Sequence, residues 1–284
     1  MGESDPRPGP VRGGSPARNP YGGFASFQCL LDLDRDLADE LEPDARRLAR
    51  ASATALTFEV DGGRLGLGDW LGPVSGGPGL LVVEGVLALG LRVGDRVCAE
   101  LVGAGDLLQP LPGQAEQLLA CHVTSRALTP MRLAVLDRSF ARRVRFWPEV
   151  GQALLRRAGR RAVNLNIQRA IAAQPRLEVR LALLLWHLAG RWGRVEPGGV
   201  RLPIPLTHQL LGQLVAAERP SVSHALARLA HSGLVTGHGD EWHLHECLES
   251  RLPALIEPAS ERAERIMAAV ESGRPALHRS QLLG

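Results

Sequence analysis

"LTHQLLGQLVAAERPSVSHALARLAHSGLV", from Leu206 to Val235, is the stretch whose reading decides the fold. Two short amphipathic helices are written in it. Thr207 has the side chain of an N-cap, and Leu210, Leu211, Leu214 and Val215 fall three or four apart, so one face is apolar. Ala216-Ala217-Glu218 reads as the turn. Gly212 is small where a second helix must cross closely. Pro220 fits a first helical turn, and Val222, Ala225, Leu226 and Leu229 give the second helix its buried face. Gly233 reads as a left-handed cap that ends it. Arg219, Ser221, Ser223, His224 and Arg228 are left facing outward.

The flanks complete the unit. "RLEVRLALLLWHLAGRWG" (Arg176–Gly193) has the wide apolar face of a core helix, and "VEPGGVRLPIP" reads as a turn and a short strand. Residues 234–245 read as a hairpin turning at Gly237-His238-Gly239-Asp240, with Trp242 as its packing residue. Helix, short turn, polar second helix and trailing hairpin make a winged helix-turn-helix. The implied partner is double-stranded DNA, whose major groove admits a helix. Arg219 is the best base reader, because its guanidinium fork can bond both acceptors of a guanine. Ser221 and Ser223, near the positive end of the helix, suit phosphate or base contacts. Thr207, Pro220, His224 and Arg228 complete the candidate DNA-binding set.

Upstream, Trp147–Gln174 keeps a helical pattern, with Pro148 at its start and Pro175 after its end. A helix of ~26 residues spans ~39 Å, too long for one small domain. Leu155, Ala158, Ala162 and Leu165 give it an apolar seam. Arg156 with Arg160, and Arg157 with Arg161, are like-charge pairs that weaken an isolated helix. Such a helix depends on packing, and a twin copy in a homodimer supplies it. From about 54 to 137, short apolar runs alternate with Gly-Asp or Asp-Gly punctuation, the pattern of a small β-roll. Residues 28–50 read as helical, with Leu30, Leu33, Leu37 and Leu41 in register and a break at Pro43.

Composition sets the limits. The 284 residues suit about two domains, and 45% are apolar. No apolar run approaches the ~18 residues of a membrane span, and the Gly-, Pro- and Arg-rich N-terminus has no signal-peptide core. A cytoplasmic protein without membrane contact is expected. The net charge of +3 hides an asymmetry. Residues 28–120 carry 7 arginines against 15 acids, 138–194 carry 13 against 2, and 195–284 carry 8 against 10. An acidic front, a basic middle and a near-neutral end suggest separate units. The basic middle has two readings: a helix face pairing with the acidic front, or contact with a DNA backbone. Four scattered cysteines show no ligand spacing, so they read as incidental thiols and no metal is expected. His243 and His245, near His238 and Cys247, read as solvated wing histidines, with a metal site as the other reading.

The segment 206–235, preceded by "RLALLLWHLA" and followed by a hairpin, resembles the Crp/Fnr (cyclic-AMP receptor) family of bacterial transcription regulators; a looser resemblance covers 28–250. It implies an α+β chain in the order seen above. Residues 1–27 form a disordered extension, 28–140 a cyclic-nucleotide-binding-like β-roll, 141–174 a dimerisation helix, 175–250 the winged helix-turn-helix and 251–284 a tail. It also implies a homodimer on a near-palindromic operator, in contact with RNA polymerase, and no enzymatic activity. Arg219 matches the family's base-reading arginine. Pro220 and His224 replace an acid and an arginine of the cyclic-AMP receptor, so the operator differs. Ala216 stands where the family turn commonly has glycine. In the sensor, Gly105-Asp106 stands where cyclic-AMP binders have Gly-Glu. No arginine occurs between Arg96 and Arg126, and Leu119-Ala120-Cys121-His122 replaces an Arg-Ser/Thr-Ala run. A buried phosphate without a cation is costly, so cyclic AMP is not expected as the effector. A nucleotide or another small molecule, or none, takes that place. Asp106, with Asn164 and Asn166 on the long helix, is the candidate effector contact.

Two other functions compete. A cupin-like metal enzyme needs two or three histidines with a carboxylate on the strands, and residues 54–137 contain only His122. A protein-interaction or effector-binding module with a weakened DNA domain draws on a different fact. Residues 205–245 hold only Arg219 and Arg228 against Glu218, Asp240 and Glu241.

Overall fold

The computed structural model describes residues 25–65, 76–109, 121–238 and 240–256. The expected extension up to residue 24, most of the "LGLGDWLGP" run, Leu119-Ala120 and the tail from 257 lie outside the described residues.

Among the described residues, nine strands build the front of the chain: β1 (Ala25–Cys29), β2 (Thr54–Val60), β3 (Gly63–Arg64), β4 (Gly79–Glu84), β5 (Val86–Val93), β6 (Arg96–Gly103), β7 (Leu107–Leu108), β8 (His122–Ala127) and β9 (Met131–Leu136). They form two antiparallel sheets, β1-β2-β9-β4-β7 and β3-β8-β5-β6. The Gly94-Asp95 pair turns the β5–β6 hairpin, with Gly94 at φ 56°. Phe58, Leu80, Val82 and Leu133 from the first sheet meet Leu87 and Val102 from the second to fill the space between them.

Helices cover both outer faces. On the five-stranded sheet lie α1 (Leu30–Leu33), a 3-10 turn (Arg35–Ala38), α2 (Pro43–Ser52), α3 (Arg138–Val144) and the first half of α4 (Pro148–Ala172), around Leu31, Leu37, Phe140 and Leu154. The helix expected over 28–50 is therefore broken. Residues 25–29 extend the sheet as β1, so Ala25–Phe27 belong to the roll and not to the extension. Pro43 opens a helix where a break was read, which is the position its fixed φ favours. Leu30, Leu37 and Leu41 are buried as their spacing required.

The α+β architecture is completed by α5 (Leu177–Trp192), β10 (Arg194–Glu196), β11 (Gly199–Leu202), α6 (His208–Val215), α7 (Arg219–His231), β12 (Val235–His238), β13 (Glu241–His245) and α8 (Cys247–Ile256). The wing is a four-stranded sheet, β10-β11-β13-β12. Leu248 and Leu252 of α8 enter the same core, so this unit runs beyond residue 250. That core also contains Val86, Ala88, Ala99 and Leu101, the outer face of β5 and β6. Roll and helix-turn-helix thus share one apolar interior. Gln168 of α4 stitches the junction by donating to the carbonyls of Ala99 (2.6 Å) and Leu214 (3.1 Å).

The turn after α6 holds an alanine in left-handed backbone. Ala216 lies at φ 55°, ψ 51°, and no other non-glycine among the described residues has positive φ. An L-residue there costs ~1 kcal/mol. Ala216→Gly is expected to raise the unfolding free energy by about 0.5 kcal/mol after allowing for the freer unfolded glycine. Urea titration checks this, and a lower midpoint would contradict the assigned turn.

Candidate nucleic-acid interface

Thr207 caps α6, its hydroxyl accepting from the Leu210 N–H at 3.2 Å. Helices α6 and α7 cross at Gly212, where an added methyl would sit 2.5 Å from the Ala217 carbonyl oxygen. Val222, Ala225, Leu226 and Leu229 are buried against that crossing. The opposite face of α7 is open. Arg219, Pro220, Ser221, His224 and Arg228 are exposed, as the sequence spacing required. Arg219 is the first residue of the helix, and its guanidinium makes no hydrogen bond or ion pair with the described residues. A free fork at the positive end of an exposed helix can take a base edge or a phosphate.

Two members of the set sit differently. Ser223 is half-buried, with its hydroxyl between the Arg219 carbonyl oxygen (3.1 Å) and Nδ1 of His208 (2.8 Å). Arg228 is ion-paired with Glu178 of α5. The sequence spacing could not show either link, because the partners lie 15 and 50 positions away. In the wing, Arg201 is held between Glu196 (2.5 Å) and Glu241 (2.8 Å). Arg201 and Arg228 are therefore matched within the unit. Trp242 is buried and donates to the Leu206 carbonyl at 3.2 Å. His243 and His245 stack edge-on at 4.8 Å, and His245 Nε2 lies 3.2 Å from the Thr236 hydroxyl.

Four of the arginines of the basic middle, Arg156, Arg157, Arg161 and Arg191, pair with carboxylates of the acidic front. Arg156 pairs with Glu40 at 2.9 Å, Arg157 with Asp34 at 2.6 Å and Asp36 at 3.3 Å, and Arg161 with Glu100. These carboxylates offset the like-charge repulsion along α4. Arg157 is buried, and its guanidinium lies where a Cβ on Gly105 would collide with it at 2.2 Å. Burial raises the Asp34 carboxyl above its ordinary value although Arg157 pulls the other way.

Of the candidate effector contacts, Asp106 is buried, and its Oδ2 accepts from the Gly103 N–H (2.8 Å) and from Arg191 of α5 (2.7 Å). It is an internal tie between roll and α5. Asn164 is half-buried and Asn166 exposed on α4. Cys121 is half-buried and His122 exposed at the start of β8. Burial lowers the His187 imidazole on α5 below its ordinary value, and Arg191 adds to this.

Residues 179–247 match the Crp-like helix-turn-helix domain. A relative named CRP-like cAMP-activated global transcriptional regulator, from Mycobacterium tuberculosis, is 29% identical over 169 residues. The match covers 56% of this chain and 71% of that protein. The chain is similar to regulators of the Crp/Fnr type, and residues 179–247 carry their helix-turn-helix domain. It is a DNA-binding transcription regulator of that type, and α7 with its wing is the corresponding motif. Two solved structures share its fold: a CooA mutant from Carboxydothermus hydrogenoformans and FixK2 from Bradyrhizobium japonicum. The first has a TM-score of 0.50 at 19% identity, over 63% of this chain and 78% of that one. The second has a TM-score of 0.50 at 17% identity, over 63% and 87%.

The Arg228–Glu178 pair yields a prediction for this interface. Glu178→Gln releases an exposed cation on α7. Affinity for non-specific duplex at low salt should rise, and the slope of log K against log[salt] should steepen by up to about 0.9 per chain. Fluorescence anisotropy across a salt series measures both. An unchanged slope would mean that Arg228 does not reach the backbone.

Proposed function

We propose that the chain acts as a homodimer on a near-palindromic operator, with one α7 in each of two successive major grooves. The observation that carries this reading is Arg219, unpartnered and exposed at the start of a helix whose other face is buried. Dimerisation draws on α4. Leu155, Gly159, Ala162, Val163, Asn166, Ile167 and Ala170 follow helical spacing, and Leu155 and Val163 are 72% and 57% exposed. This open face replaces part of the seam read from sequence, because Ala158 turns toward the front core. A second copy of α4 is the occupant that repeats the same small and apolar residues. RNA polymerase is the further partner proposed for a bound dimer.

The effector proposal is negative for cyclic AMP. The Mycobacterium relative is named for activation by it. Here the segment 97–125 has no arginine. Arg157, the buried cation beside Gly105, already has Asp34 and Asp36. Asp106 is bound to Arg191. A cyclic phosphate arriving there would find its cations matched by carboxylates, and displacing these would leave Asp34 and Asp106 unpaired where little water reaches them. A second reading, a protein-interaction module with weakened DNA binding, is favoured by the internal pairing of Arg201 and Arg228.

Selection of duplexes from a random pool, followed by gel shift, tests the main reading. The wild-type protein should enrich a two-fold symmetric sequence, and Arg219→Ala should lose discrimination by ten- to a hundredfold, the scale of one bidentate guanine contact. Enrichment of no sequence, or full discrimination by the variant, would favour the second reading. In thermal unfolding, millimolar cyclic AMP is expected to leave the midpoint unmoved; a saturable rise of several degrees would overturn the effector proposal.

A further inference from the structure

We infer that His208 is a positioning residue for DNA recognition, acting through Ser223 on the first turn of α7. The inference rests on the proposal that α7 enters the groove. Three observations carry it. His208 Nδ1 lies 2.8 Å from the Ser223 hydroxyl oxygen. That hydroxyl lies 3.1 Å from the carbonyl oxygen of Arg219. The His208 ring stands 6.2 Å from the ring of buried Trp242, whose indole N–H is fixed to the Leu206 carbonyl.

A serine hydroxyl has one hydrogen. It donates either to the Arg219 carbonyl, with His208 Nδ1–H donating to the hydroxyl oxygen, or to an unprotonated Nδ1. In both arrangements the same hydroxyl is held between His208 and the start of α7. The chain of contacts is then Trp242 of the wing, His208 at the start of α6, Ser223, and the backbone of Arg219. One imidazole joins all three parts of the motif at the residue that carries the free guanidinium. Ser223 within a helix has a choice of rotamers, and its bond to the residue four earlier tends to bend the helix locally. His208 selects one of them. Ser223 accordingly serves the interface from within, and its hydrogen is not free for a phosphate.

The test uses the full-length protein, the duplex selected from the random pool and a scrambled duplex of the same length. Affinity for each is measured by anisotropy, with unfolding midpoints recorded alongside. His208→Ala should reduce the ratio of selected to scrambled affinity about five- to tenfold, the scale of one oriented hydrogen bond. Binding to the scrambled duplex should stay unchanged. Ser223→Ala should give the same loss, and the double variant no more than either single one, because the two residues act on one link. His208→Asn, whose side-chain amide can donate or accept in place of Nδ1, should restore most of the ratio. A wild-type ratio for His208→Ala, additive losses, or no rescue by His208→Asn in a protein that unfolds normally would overturn the inference. Should Arg219→Ala also leave the ratio untouched, the groove reading itself fails; if Arg219→Ala alone abolishes it, only the role of His208 is lost.

Discussion

Everything the chain can show to DNA depends on how closely α6 and α7 cross at Gly212. The Ala217 carbonyl comes within 2.5 Å of where a methyl would be, so no larger side chain fits without opening the motif. The close approach lets Val222, Ala225, Leu226 and Leu229 bury one face of α7 completely. The other face is exposed because the first is fixed. The tight turn at Ala216 is the conformational cost of that geometry, since an alanine occupies left-handed backbone there.

A second constraint fixes this motif to the roll. The outer face of β5 and β6 joins the apolar core of the helix-turn-helix, and polar ties reinforce the join: Gln168 to two carbonyls, Arg191 to Asp106, and Arg96 to Glu218 beside Arg219. Arg96–Glu218 is an exposed pair and adds little; Arg191–Asp106 is buried, and such a pair is a weak contributor once desolvation is counted but expensive to break. Their effect here is to specify one arrangement. The same applies to Arg157, with two carboxylates closing around it on the seam between α4 and the front of the chain.

Much of this was legible in the sequence. The helix-turn-helix, its wing, the long helix and the strand-rich front all carry local signals: a capping threonine, 3.6-residue apolar spacing, and Gly-Asp turns. The buried and exposed faces of α7 followed from that spacing. Residues 25–53 did not, because leucine spacing in 28–50 suits a helix while β1 exists only by pairing with β2, 25 or more positions later. The charge-bearing contacts were equally hidden. Arg228 with Glu178, Ser223 with His208, and Asp106 with Arg191 join residues far apart in sequence. Composition could say that arginines and acids were segregated, and left open whether the arginines meet the front of the chain or a nucleic acid. Three-dimensional pairing resolves this for Arg156, Arg157 and Arg161, which face carboxylates. Arg219 remains the cation of α7 without such a partner among the described residues.

The central claim is that two copies of α7 read one duplex. Hydroxyl-radical footprinting of the protein on its selected sequence tests it most directly. Two protected patches are expected, related by two-fold symmetry and centred about one helical turn, ~10 base pairs, apart. A single patch, or uniform weak protection with no periodicity at saturating protein, would contradict it.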